Sequence, residues 1–99
     1  MNIRSERVED IDAIFAIHAS SFESDEEALI VDDLRASSEL ICSLVAERGG
    51  VLLGHVAVSK ASLVDTDLAV AAIGPIAVVK RCRRQGVGSA LMEAAISWL

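Results

Sequence analysis

The sequence predicts a single α/β (α+β) domain with the element order β-α-α-β-β-β-α, and three observations predict it. Apolar residues at helical spacing occupy the first third of the chain. A glycine turn then joins two apolar strands. Finally an apolar run, Ile73 to Val79, leads into a basic, glycine-containing stretch that opens a last helix. The length of 99 residues suits one domain near the small end of the usual range.

Met1 to Arg7 reads as a short first strand. From Glu9, the apolar residues Ile11, Ile14, Phe15 and Ile17 recur at helical spacing, which gives a helix to about Ser20. Ser24-Asp25-Glu26-Glu27 has the spacing of a capping box and opens a second helix to about Ala36. Leu40 to Glu47 is a strand, Arg48-Gly49-Gly50 a tight turn, and Val51 to about Val64 a long strand, so the pair forms a hairpin. Asp65-Thr66-Asp67 is a second turn, followed by a strand from Leu68 to Val79. Gly74-Pro75 interrupts that strand; proline removes a ladder donor and glycine weakens pairing, so a bulge is expected there. The final helix runs from about Gly86 to Leu99. Val87, Ala90, Leu91, Ala94, Ala95 and Trp98 form its apolar stripe.

Composition narrows the partners. The net charge is −6 and the aromatic residues Phe15, Phe22 and Trp98 sit in apolar helical contexts, so there is no basic stacking platform for nucleic acid. No apolar run reaches the roughly 18 residues of a membrane span. The first residues lack the apolar core of a signal peptide, and the expected location is cytoplasmic. Cys42 and Cys82 fit no metal spacing and no disulfide framework: Cys42 reads as a core residue and Cys82 as a tolerated loop residue. No metal site is expected.

The chemistry concentrates in Lys80-Arg81-Cys82-Arg83-Arg84-Gln85-Gly86-Val87-Gly88-Ser89. Four of the nine basic residues fall there, and two glycines bracket the residue where the helix starts. Free N–H groups at a helix N-terminus, no β-carbons in the way and cations alongside suit a diphosphate. The stretch predicts binding of a phosphorylated cofactor.

An apolar fourth strand with a bulge, followed by Arg83-Arg84-Gln85-Gly86-Val87-Gly88 at a helix start, resembles the acetyl-coenzyme A loop of the GNAT superfamily of N-acetyltransferases. The family signature of Gln or Arg, two residues, Gly, one residue, then Gly or Ala falls on Arg83, Gly86 and Gly88. Gly74-Pro75-Ile76-Ala77-Val78 and Val51-Leu52-Leu53-Gly54-His55-Val56-Ala57 are similar to its bacterial YhbS-type branch. The resemblance implies a GNAT-like acyl-CoA N-acyltransferase fold over residues 1–99, truncated after the cofactor-binding helix. It implies acetyl-CoA as cosubstrate and an amine, on a small molecule or a protein, as acceptor. It places the pantetheine arm on Ile76, Ala77 and Val78, and the pyrophosphate on Arg83, Arg84, Gln85, Gly86, Val87, Gly88 and Ser89. A further strand, helix and hairpin are implied after Leu99, and an uncovered fourth strand leads to an expected homo-oligomer.

Acetyl transfer needs a proton acceptor, an oxyanion donor and a proton for the thiolate. A backbone N–H near Val78 suits the oxyanion. The strand from Leu68 to Val79 carries no ionisable side chain, although the family often has a glutamate there. His55 is a candidate base or substrate contact, set against the simpler reading of a histidine satisfied within the sheet. Glu47 reads as solvated at a hairpin end, and His18, on the apolar stripe of the first helix, as structural. The tyrosine that commonly serves as the acid is absent, since the chain contains no tyrosine. The alternative to an N-acetyltransferase is therefore a non-catalytic CoA-binding or oligomerisation module. A dinucleotide unit is the third reading, weakened by Leu91 where a small residue belongs.

Overall fold

Ile41 to Ala46 are almost all apolar because both faces of that strand are covered. In the computed structural model, which describes residues 1–62 and 69–99, the strand is the second in a four-stranded antiparallel sheet whose strands lie in chain order. The elements are β1 (Asn2–Ser5), α1 (Ile11–Ser21), α2 (Glu26–Ala36), β2 (Leu40–Arg48), β3 (Val51–Ser62), β4 (Ala69–Val78) and α3 (Val87–Trp98). The predicted order holds. The predicted Asp65-Thr66-Asp67 turn lies outside the described residues.

Alternation along the strands sorts the core into two layers. Cys42, Leu44, Ala46, Val56 and Val58 pack with Val87, Leu91 and Ala95 of α3. Val45 and Ala57, on the opposite face, pack with Ile14 of α1 and Val31 of α2. Cys82 is buried in the first of these layers, so it is a core plug and not a tolerated loop residue. At the far end of α3 the stripe emerges: Ile96, Trp98 and Leu99 are half or more exposed.

The hairpin closes with a two-residue turn. Arg48 pairs with Val51, and Gly49 and Gly50 have φ of +59° and +81°, the left-handed pair that suits strand twist. The bulge is where Gly74-Pro75 placed it. Val56 faces Ile76 and Val58 faces Ile73, so β4 carries one residue more than β3 across the interval. The capping box is not formed: α2 starts at Glu26, the N-cap Asp25 makes no side-chain cap, and Ser24 Oγ accepts from Glu26 N–H at 3.3 Å. Glu47 is not solvated either. Arg4 binds it at 3.0 Å and binds Asp10 at 2.7 Å, tying β1 to the hairpin end and to the turn before α1.

Gly54 carries a packing constraint. A β-carbon there meets Ala77 O at 2.9 Å and Leu91 Cδ1 at 3.0 Å. Because one obstacle is backbone, relief requires β3 and β4 to separate. Gly54→Ala is expected to destabilise the fold by about 1–3 kcal/mol and Gly54→Val by more, as read by urea denaturation. Among the described residues, no helix is long and apolar enough to cross a membrane.

Candidate active site

The segment from β4 to α3 is pinned before it becomes a site. Val79 N–H donates to Leu53 O at 2.8 Å, and a short 3₁₀ turn, Lys80–Cys82, buries the Cys82 side chain. The chain then turns outward. Arg84 has φ +64° and the N-cap Gly86 has φ +84°, where glycine carries no steric cost. The first helical N–H with a helix partner is that of Ala90, bonded to Gly86 O at 3.0 Å. The N–H groups of Gly86, Val87, Gly88 and Ser89 precede it at the positive end of the helix dipole, and Gly86 supplies no side-chain cap. Arg83, Arg84 and Arg81 are exposed around this turn. Val87 turns its side chain into the core, so only its backbone faces the turn.

β4 presents a second set of backbone groups. The Val79–Leu53 bond makes Gly54 and Val78 a pair that exchanges no hydrogen bonds, and Val56 and Ile76 repeat that phase. The N–H and C=O groups of Ile76 and Val78 therefore point away from β3, toward the open edge. The Val78 carbonyl confirms the direction, because it accepts from Ser21 Oγ and from Arg83 Nε, each at 3.3 Å. Arg83 Nη2 also donates to Ser21 O at 3.3 Å, so this guanidinium spans from β4 to the end of α1.

Between them lies a cleft of about 240 Å³ lined by Ser21, Phe22, Ile76, Ala77, Val78, Arg83 and Gly88. Five of the residues expected to hold the cofactor meet in it. Arg84, Gln85 and Ser89 lie on the exposed turn beside it, with Gln85 Nε2 donating to Arg81 O at 3.3 Å. Ser21 and Phe22 were not among the expected residues. The only sequence signal for them is their place at the end of the α1 periodicity.

His55 is in another position from that expected of a base. It is fully buried, with Nδ1 2.8 Å from His18 Nε2 and Nε2 2.7 Å from Ser43 Oγ. Both nitrogens are used, so it offers no atom to a bound amine. Burial, with the neighbouring His18, pushes its pKa down to about 3 and keeps the ring neutral. His18 is equally buried, its pKa also lowered by burial, but it bonds to His55 and so is more than apolar filling.

Comparison with known proteins follows this geometry. The acetyltransferase (GNAT) family model matches residues 11–99. The chain belongs to the GNAT family. Over 100 aligned residues it is 39% identical to the uncharacterized N-acetyltransferase YhbS of Escherichia coli strain K12. That match takes in all of this chain, which spans about 60% of the length of the curated relatives it matches. Among solved structures, a GNAT acetyltransferase from Brucella melitensis in complex with acetyl-CoA superposes with a TM-score of 0.93 at 31% identity, covering 98% of this chain and 66% of that one. YhbS from Escherichia coli in complex with CoA gives 0.91 at 36% identity, covering 97% and 54%. The GNAT fold expected from the loop and the element order is thus established for these residues.

Proposed function

We propose that this chain forms the acetyl-CoA half of an N-acetyltransferase that moves an acetyl group from acetyl-CoA to an amine. The observation that carries the reading is the meeting, in one cleft, of a donor-rich helix start and an outward-facing strand edge. The N–H groups of Gly86, Val87, Gly88 and Ser89 suit the diphosphate, and Arg83 and Arg84 supply positive charge beside it. The outward N–H and C=O of Ile76 and Val78 suit the amide-rich pantetheine arm, which binds as an added strand would. The Ile76 or Val78 N–H then polarises the acetyl carbonyl. Two relatives of the same fold were crystallised with acetyl-CoA and with CoA, which supports this assignment.

Thiol release from acetyl-CoA in the presence of small primary amines, peptide α-amines or lysine-bearing peptides tests the reading. Release that depends on one amine class is the expected result, and a folded chain that neither releases thiol nor binds acetyl-CoA contradicts it. Arg83→Ala is expected to raise the Kd for acetyl-CoA about tenfold at low salt. The effect shrinks as ionic strength rises, since exposed charges are screened. The exposed Ile96, Trp98 and Leu99 also favour self-association of this chain, which sedimentation measures.

A further inference from the structure

Charge is spread unevenly along this chain. Nine basic residues stand against 15 acidic ones, yet four of the nine fall between Lys80 and Arg84. No acidic residue occurs from Leu68 to Met92, so neither the preceding strand nor the helix start offsets them. Elsewhere the arginines find partners: Arg4 binds Asp10 and Glu47, and Arg35 binds Glu6 and Asp32. Lys80, Arg81, Arg83 and Arg84 are all exposed, and none makes an ion pair among the described residues. Like charges crowded on one turn repel, and a bound polyanion relieves that repulsion.

The turn sorts the four cations into two pairs. Arg83 reaches inward, with Nε on Val78 O and Nη2 on Ser21 O, each at 3.3 Å, and it lines the cofactor cleft. Arg84, with φ of +64°, stands just before the helix start. Lys80 and Arg81 lie on the other side of Cys82, in the 3₁₀ turn that buries the Cys82 side chain and leaves theirs outside. Gln85 Nε2 donates to Arg81 O at 3.3 Å, which holds this turn against the residue preceding Gly86. Lys80 and Arg81 therefore flank the helix start without lining the cleft.

Acetyl-CoA has two anionic groups to match. Its diphosphate joins the pantetheine arm to the adenosine, and a separate phosphomonoester sits on the ribose 3′ oxygen. The monoester carries about −1.5 to −2 at neutral pH, comparable with the whole diphosphate. The first-turn N–H groups, with Arg83 and Arg84 beside them, suit the diphosphate. The monoester lies beyond the diphosphate from the pantetheine arm, and so outside the cleft. The uncompensated cations there are Lys80 and Arg81.

We propose that Arg81 and Lys80 bind the ribose 3′-phosphate of acetyl-CoA, so that the chain selects the full coenzyme over its 3′-dephospho form. Their role rests on the cofactor assignment and extends it beyond the cleft. The Arg81 guanidinium offers parallel N–H donors to two phosphate oxygens, and Lys80 adds a point charge. Both side chains are exposed, so their contribution falls as salt screens it. With a net charge of −6, the chain as a whole repels a polyanion, which leaves this turn to draw the nucleotide end in.

Calorimetric titration with CoA and with 3′-dephospho-CoA tests this without any acetyl transfer. At low salt, CoA should bind at least about tenfold more tightly than the dephospho form. When Lys80→Ala and Arg81→Ala are combined, the two Kd values should agree within about twofold. Arg81→Lys keeps the charge but not the fork, and should retain part of the preference. Lys60→Ala controls for net charge: it removes an exposed cation opposite Ala71, at the other end of β4, and should leave the ratio as it was. Equal affinity for the two ligands in the unaltered chain overturns the proposal and leaves the cleft assignment standing. A preference that survives the double variant also overturns it. Should Arg84→Gly then remove that preference, the monoester lies on Arg84, where glycine adopts φ of +64° without strain. A folded chain that binds neither ligand removes the cofactor assignment and the proposal with it.

Discussion

Gly88→Val is expected to abolish acetyl-CoA binding while leaving the protein folded. Gly88 lines the cofactor cleft in the first turn of α3. A β-carbon at this position meets only Val78 Cγ2, at an ordinary 3.7 Å, so the fold accommodates it. Valine is also no worse than glycine in a helix, so the thermal midpoint should hold within a few degrees. Two further methyl groups at this point occupy space that the ligand needs and lift it off the first-turn N–H groups. A Kd increase of at least about 100-fold follows, equivalent to about 2.7 kcal/mol. Gly88→Ala should fall between the two. Gly86→Val is a less clean probe, because φ of +84° makes a branched side chain costly to the turn itself. Retention of binding by a folded Gly88→Val protein would place the diphosphate elsewhere.

Acid should unfold this protein through its two buried histidines. A base whose pKa falls on folding binds fewer protons in the native state than in the unfolded chain. Its contribution is therefore complete above about 6.5, the ordinary histidine value, and is lost as pH falls toward about 3 for His55. His18 shifts in the same direction, also by burial. His55 should add a slope of about 1.4 kcal/mol per pH unit between its two values, on the order of 5 kcal/mol across the interval, and His18 adds to the loss in the same direction. Asp10, Glu6 and Glu47, whose pKa values are lowered by partners that outweigh burial, add to the loss only once pH reaches the carboxylate range. Urea denaturation at pH 7.5, 6 and 5 measures this. His55→Gln keeps polar groups within reach of His18 and Ser43, and it should lower the slope between pH 6 and 5 by up to about 1.4 kcal/mol per pH unit. An unchanged slope would mean that His55 is not held neutral by its surroundings.

The parts of the account that were legible in the sequence are those whose chemistry is contiguous. Arg83 to Ser89 carries its charges, glycines and helix start within one turn, and Gly74-Pro75 marks the bulge by what two residues cannot do in a ladder. What escaped depends on residues far apart in the chain. Ser21 becomes a wall of the cleft through Val78, 57 positions on. His18 and His55 are 37 apart, so helical periodicity places His18 on the inner face of α1 without naming its partner. Glu47 looked solvated because Arg4, its partner, is 43 residues earlier. Gly54 sits unremarkably in an apolar strand, and only the approach of the Ala77 carbonyl shows why it is glycine.

Calorimetric titration with acetyl-CoA, with NADH and ATP as controls, tests the central assignment most directly. Micromolar binding of acetyl-CoA that Gly88→Val removes and Arg83→Ala weakens in a salt-dependent way is the result expected of a cofactor cleft between β4 and α3. A folded protein that binds none of the three, or binds acetyl-CoA equally well with valine at position 88, would contradict it.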